Sequence, residues 1–168
     1  ILVGLESPVA EGLEGLELHS NWKRKQFNHY REAIETIQRN GITVNGCFVL
    51  GLDHTDTSSF ERIWDFVNES GLFEVQITIL TPFPGTPLYK RLKDEGRILH
   101  DGMWEMCTLF DVNFQPQNMS VSDLESGLRK LGERLYNSDF TSLRRKRFFD
   151  RLRGRPQYST ITHNGGTT

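Results

Sequence analysis

Glu6 and Ser7 stand directly behind an apolar run, ILVGL, and are followed at once by Pro8. A carboxylate there can accept hydrogen bonds from hydroxyls or an ammonium group, and a serine can donate to a carboxylate. Asn45 opens a second apolar run, NGCFVLGL, which leads into Asp53. An amide in such a run must find hydrogen-bond partners or bear the cost of burial. A third run, VQITIL, breaks into the corner TPFPGTP over residues 81–87, where prolines fix φ and remove backbone donors. The two cysteines, Cys47 and Cys107, have no CxxC spacing, so neither a zinc site nor a complete iron–sulfur site can be built from them. They read as small apolar core residues. His19, His29 and His100 share no metal-ligand spacing, and His54 and Asp56 read as solvated loop residues. No Ser/His/Asp constellation, phosphate loop or dinucleotide fingerprint is present. Between residues 144 and 155, Arg144, Arg145, Lys146, Arg147, Arg151, Arg153 and Arg155 stand against one acid, Asp150, with Phe148 and Phe149 among them. Such a helix reads as a solvated face packed through its phenylalanines, with nucleic-acid contact as the alternative.

The elements that must position these residues alternate. Residues 1–5, 42–52 and 72–80 read as strands buried on both faces, each ending in a polar loop. Between them, Phe27, Tyr30, Ile34 and Ile37 mark a helix over about 23–40, and Phe60, Ile63, Trp64 and Val67 mark another; Gly41 and Gly71 end them in left-handed caps. Ser58 with Glu61 forms a capping-box pattern, and Thr86 can cap a helix whose first residue is Pro87. This βαβαβα order predicts an α/β fold with a parallel sheet and right-handed crossovers, whose ligand sites lie at the C-terminal strand ends. Residues 101–153 follow as an aperiodic segment and two helices, one with Leu124, Leu128, Leu131 and Leu135 on one stripe, one over about 139–153; residues 154–168 read as a disordered tail. With 168 residues, 36% of them apolar, the chain can fill a core, and a net charge of −2 gives no global attraction to nucleic acid or membrane. No apolar run reaches the roughly 20 residues of a membrane span, and no signal peptide is visible, so the expected compartment is the cytoplasm. Opening inside a strand without methionine, the sequence reads as the C-terminal part of a longer chain.

In order and spacing, LVGLES, NGCFVLGLD and ILTPFPGTPLY resemble the fourth, fifth and sixth strands of radical S-adenosylmethionine (radical SAM) enzymes, in particular the class with an N-terminal cobalamin-binding domain. The resemblance covers about residues 1–100 and implies the C-terminal half of a partial (β/α)6 TIM-like barrel, followed by an α-helical extension. Family members bind a [4Fe–4S] cluster through three closely spaced cysteines, cleave S-adenosylmethionine and generate a 5′-deoxyadenosyl radical, some with cobalamin in methyl transfer. Carried onto this sequence, Glu6 and Ser7 bind the ribose or the methionyl end, and a basic residue of WKRK, Lys23 among them, meets the methionyl carboxylate. Asn45 faces the ligand, Val49 and Leu50 contact the adenine, and Leu80, Thr81 and Pro82 line it. The turn DHTDT stands where relatives often carry Pro-Gly-Glu-Thr. The three-cysteine motif is absent from these residues, so the resemblance implies cluster ligands in a preceding part of the same chain and an inactive fragment on its own. A small-molecule substrate is implied, and no catalytic side chain is assigned within this stretch.

Overall fold

The computed structural model describes residues 1–8, 11–13 and 29–154. Three strands, β1 (Leu2–Glu6), β2 (Asn45–Leu50) and β3 (Glu74–Ile79), form a parallel sheet in the order β1-β2-β3. Five helices accompany it: α1 (Tyr30–Arg39), α2 (Ser58–Ser70), α3 (Pro87–Asp94), α4 (Val121–Leu135) and α5 (Ser138–Arg153). The α/β class and the parallel order are therefore as expected. Gly41 and Gly71 take the left-handed φ values expected at the helix ends, and Thr86 Oγ1 accepts from the Tyr89 amide at 3.2 Å, capping α3 with Pro87 in its first turn. Residues 23–28, the expected start of the first helix, and residues 155–168 lie outside the described residues.

Three expectations need correction. The strands are not buried on both faces. Leu5, Phe48, Leu50, Val75, Ile77 and Ile79 point into the core, whereas Asn45, Cys47, Val49, Glu74, Gln76 and Thr78 alternate onto a half-buried face. In β3 the sequence EVQITI already carries this period-two pattern, polar on one side and apolar on the other. The capping box at Ser58 and Glu61 does not form, because Thr57 precedes α2 in helical conformation with no side-chain cap. Instead Asp56 accepts from the Ser58 amide at 2.9 Å, and Glu61 pairs with Arg134. The cysteines are half-buried, with Cys47 on the polar face beside Gln76.

One helical layer covers the apolar face. α4 packs against both α2 and β3, so the leucine stripe of the C-terminal region completes the core begun by the βα units. The approach is close: a Cβ on Gly127 of α4 would lie 2.2 Å from the Phe60 ring of α2. Gln38, buried at the end of α1, donates to Gly71 O and accepts from the Phe73 amide, pinning the turn between α2 and β3. α5 packs at the N-terminal end of β3, with Phe148 edge-on to Phe73 and Arg145 paired to Glu74.

Candidate functional site

At the C-terminal strand ends the backbone is both strained and tied. Ser7 N donates to Leu5 O at 2.8 Å, a three-residue turn that puts Glu6 at φ +62°. His54, in the loop after β2, lies at φ +65°, and Leu109, whose carbonyl accepts from the Ile79 amide at 2.7 Å, lies at φ +70°. These are the three non-glycine residues with positive φ among the described residues: Glu6 ends β1, His54 follows β2 by four residues, and Leu109 bonds the last residue of β3. Left-handed backbone costs a side-chain-bearing residue about 1–2 kcal/mol, and such strain gathers where a surrounding structure holds it for use.

The same ends converge. A Cβ on Gly12 would lie 2.3 Å from Ser7 Oγ and 3.0 Å from Thr55 Cγ2, so the short 3₁₀ turn Glu11–Leu13 joins the ends of β1 and β2. The Leu80 amide donates to Leu50 O at 2.9 Å, which prolongs the β2–β3 ladder by one bond. Thr81 Oγ1 donates to Ile79 O at 3.0 Å, and the Phe83 amide to Thr81 O, so the proline corner is closed on itself. Of the residues singled out in the sequence, Glu6, Ser7, Val49, Leu50, Leu80, Thr81 and Pro82 are therefore brought to one end of the sheet. Their side chains differ in access. Ser7, Leu50, Thr81 and Pro82 are buried, whereas Glu6, Val49 and Leu80 are half-buried. The Cys47 thiol is pushed up first by burial and then by the Glu6 carboxylate.

Two residues fall outside this grouping. Lys23 lies outside the described residues. Asn45 is the first residue of β2, paired in register with Leu2 and Glu74, at the N-terminal end. At about 3.3 Å per residue, that is roughly 17 Å along the strand from Leu50. Its Oδ1 is buried without a hydrogen-bond partner. Near the same end stands Arg144, fully buried, with Nη2 donating to Leu135 O at 3.2 Å and to Thr141 Oγ1, while Nε and Nη1 have no acceptor. Burial lowers its pKa despite the charge of Glu74. Three more residues of the basic run are also engaged within the chain. Arg145 holds Glu74, Lys146 holds Asp150, and Arg147 donates to Asn68 O. Among the described residues no group of three His, Cys, Asp or Glu is arranged to hold a metal ion, so the ligand set of an iron–sulfur cluster does not fit here.

The sequence reading missed the residue that braces this end. Arg97, with 14% of its side chain exposed, donates from Nη2 to Asp53 Oδ1 at 2.9 Å, from Nη1 to Glu95 at 2.8 Å and from Nε to Gln115 O at 2.8 Å. Arg91 holds the other Asp53 oxygen at 2.6 Å. Burial acts to raise the Asp53 carboxyl, and the two guanidinium groups outweigh it, holding the group below the usual carboxylate range. No local pattern announces contacts between residues 38 and 44 positions apart.

Residues 86–165 match the family described as a domain of unknown function, DUF4070. The chain is 26% identical over 134 residues to bacteriochlorophyllide d C-12(1)-methyltransferase of Chlorobaculum tepidum, covering 80% of this chain and 28% of that protein. It is 33% identical over 101 residues to hopanoid C-2 methylase of Rhodopseudomonas palustris, covering 60% of this chain and 18% of the relative. A third relative, bacteriochlorophyllide d C-8(2)-methyltransferase of Chlorobaculum tepidum, is 28% identical over 106 residues, 62% of this chain and 22% of that protein. The match thus spans between 18% and 28% of these relatives' lengths. DUF4070 is the domain found in cobalamin-binding radical SAM methyltransferases, and in that domain and these relatives the chain is similar to that family, the one that the three strand ends resemble.

Proposed function

We propose that the chain is the C-terminal half of a partial (β/α)6 barrel in a radical SAM methyltransferase and forms one wall of its S-adenosylmethionine site. What supports this reading is that Glu6, Val49 and Leu80, each half-buried, all lie at the C-terminal ends of the three strands. Val49 and Leu80 supply the apolar wall for the adenine, and Glu6 accepts from the ribose hydroxyls or the methionyl ammonium. Ser7, Leu50, Thr81 and Pro82 hold that wall through backbone bonds, and Lys23 is the cation for the methionyl carboxylate. Asn45 faces the interior from the opposite end. A [4Fe–4S] cluster would supply the electron that cleaves S-adenosylmethionine and cobalamin would carry the methyl group, both held outside the described residues. Residues 1–100 are then the barrel half and 101–153 the helical extension, the compartment is the cytoplasm, and the fragment alone is inactive. The relatives' names specify a bacteriochlorophyllide and a hopanoid, and a large, mainly apolar substrate of that kind is part of the proposal. No described helix is long and apolar enough to cross a membrane.

The test begins upstream in the same reading frame, where a C-x3-C-x2-C motif is expected. The longer protein, reconstituted anaerobically with iron and sulfide, is expected to show a [4Fe–4S] electron paramagnetic resonance signal that changes on adding S-adenosylmethionine. A stop codon just before Ile1, or a spectrum indifferent to S-adenosylmethionine, overturns the reading.

A further inference from the structure

We propose that Arg97, with Asp53, is the positioning residue of the strand-end site: one guanidinium locks the loop after β2 to the neck of the loop that supports β3. The inference rests on the S-adenosylmethionine reading above and adds to it the residues that set the site's shape.

Two chains of contacts run outward from Arg97. Through Asp53, it reaches the loop that leaves β2 three residues after Leu50, whose carbonyl receives the Leu80 amide. Through Gln115 O, it reaches a short antiparallel neck. There the Gln115 amide returns to Arg97 O at 2.7 Å, Ile98 pairs with Phe114, and the Leu99 amide donates to Asn113 O. Asn113 adds a pair of bonds across the neck, accepting from the His100 amide and donating to His100 O. The loop closed by this neck carries Leu109, whose carbonyl receives the Ile79 amide, and Cys107, whose thiol lies 3.9 Å from Pro82 O. Ile79 and Leu80 are therefore held on two sides by elements that meet at one guanidinium. Arg97 suits this place because its planar fork serves three acceptors at once, which a lysine ammonium on a flexible stem cannot do with the same geometry. It is also largely withdrawn from water, where charge-assisted bonds hold their directions best. Neither Arg97 nor Asp53 belongs to the half-buried face of Glu6, Val49 and Leu80, so their role is to place that face.

The test uses Asp53→Asn, which keeps the side-chain shape, and Arg97→Lys, which keeps the charge, with Arg97→Met as the stronger perturbation. In the 168-residue chain, amide hydrogen exchange at Ile79 and Leu80 is expected to quicken about tenfold in Asp53→Asn and Arg97→Met, while the β2 amides at the Asn45 end stay unchanged. Equal acceleration along the whole sheet would mean a general structural role and overturns the inference. In the longer reconstituted protein, S-adenosylmethionine affinity is expected to fall about tenfold, read from the concentration needed to change the cluster spectrum, with Arg97→Lys intermediate. If wild type responds and the variants respond at the same concentration, the positioning role fails alone. If wild type does not respond, the S-adenosylmethionine reading fails and takes this inference with it.

Discussion

Asp53 and Arg144 show opposite ways of placing charge inside this chain. Asp53 is fully answered by Arg91 and Arg97, and its carboxyl is held below the ordinary value. A carboxylate with a depressed folded pKa contributes stability above its unfolded value near about 4, and loses it as pH falls through the folded value. Asp53→Asn is therefore expected to cost about 2 kcal/mol at neutral pH and progressively less in acid, with wild type and variant converging once the carboxyl is protonated. Urea midpoints of both proteins across the acid range read this directly, and a gap that ignores pH would remove the assignment. Arg144 is half-answered: Nη2 has two acceptors, and Nε and Nη1 have none. Replacing a poorly satisfied buried charge by an apolar side chain of similar length is often neutral or stabilising. Arg144→Met is thus expected to fall within about 1 kcal/mol of wild type. Phe148→Ala, at a fully packed site one turn away, is expected to lose about 3–5 kcal/mol. A large loss in Arg144→Met, by chemical denaturation, would show that the guanidinium holds α5 in place.

At the scale of elements, the sequence was readable where one residue type settles the local backbone. Thr86 and Pro87 marked the start of α3, and glycines marked the ends of α1 and α2, because few residues tolerate those conformations. The caps of α2 and α4 were not separable that way. Ser58-x-x-Glu61 has the better consensus, yet Thr57 is already helical and leaves no cap position there. Ser120-x-x-Asp123 has the shorter acid, and its Ser120 is extended at ψ 162°, so both reciprocal bonds form. The decision rests on the preceding backbone, which tertiary packing sets. Ser120→Ala is accordingly expected to cost about 1 kcal/mol, the usual worth of a lost N-cap, and Ser58→Ala less than half of that. Thermal unfolding of the two variants side by side decides it; equal losses would contradict the capping geometry. The strand ends of the candidate site were legible for the same local reason, since a polar residue after an apolar run is visible in one dimension. The Asp53–Arg97 brace was not, because it joins a loop and a helix end brought together only by the crossover.

Across the whole molecule, the two sides of the sheet are finished differently. On the β3 side, the Ile77 amide donates to Tyr136 Oη at 3.2 Å and the Ile79 amide to Leu109 O, so that edge is covered by α4's end and by the braced loop. On the β1 side, Ile1 and Leu2 are 58% and 67% exposed, in a strand that is the outermost of the described sheet. An apolar edge strand of this kind is a template for another strand. The polar half-buried face of β2 and β3 also lacks the dense apolar packing of the opposite side. Both features belong to the half-barrel reading, in which further strands pair with β1 and curve over that face. Local stability should follow the same asymmetry, because protection tracks the packing that must open to release each amide. In the 168-residue chain, β1 amides bonded within the sheet are therefore expected to exchange well before those of β3. In the longer protein, strands paired against β1 should slow its amides to match β3. Persistence of fast β1 exchange there would mean that the sheet ends at β1, and the barrel would have to be abandoned for an open three-stranded α/β domain.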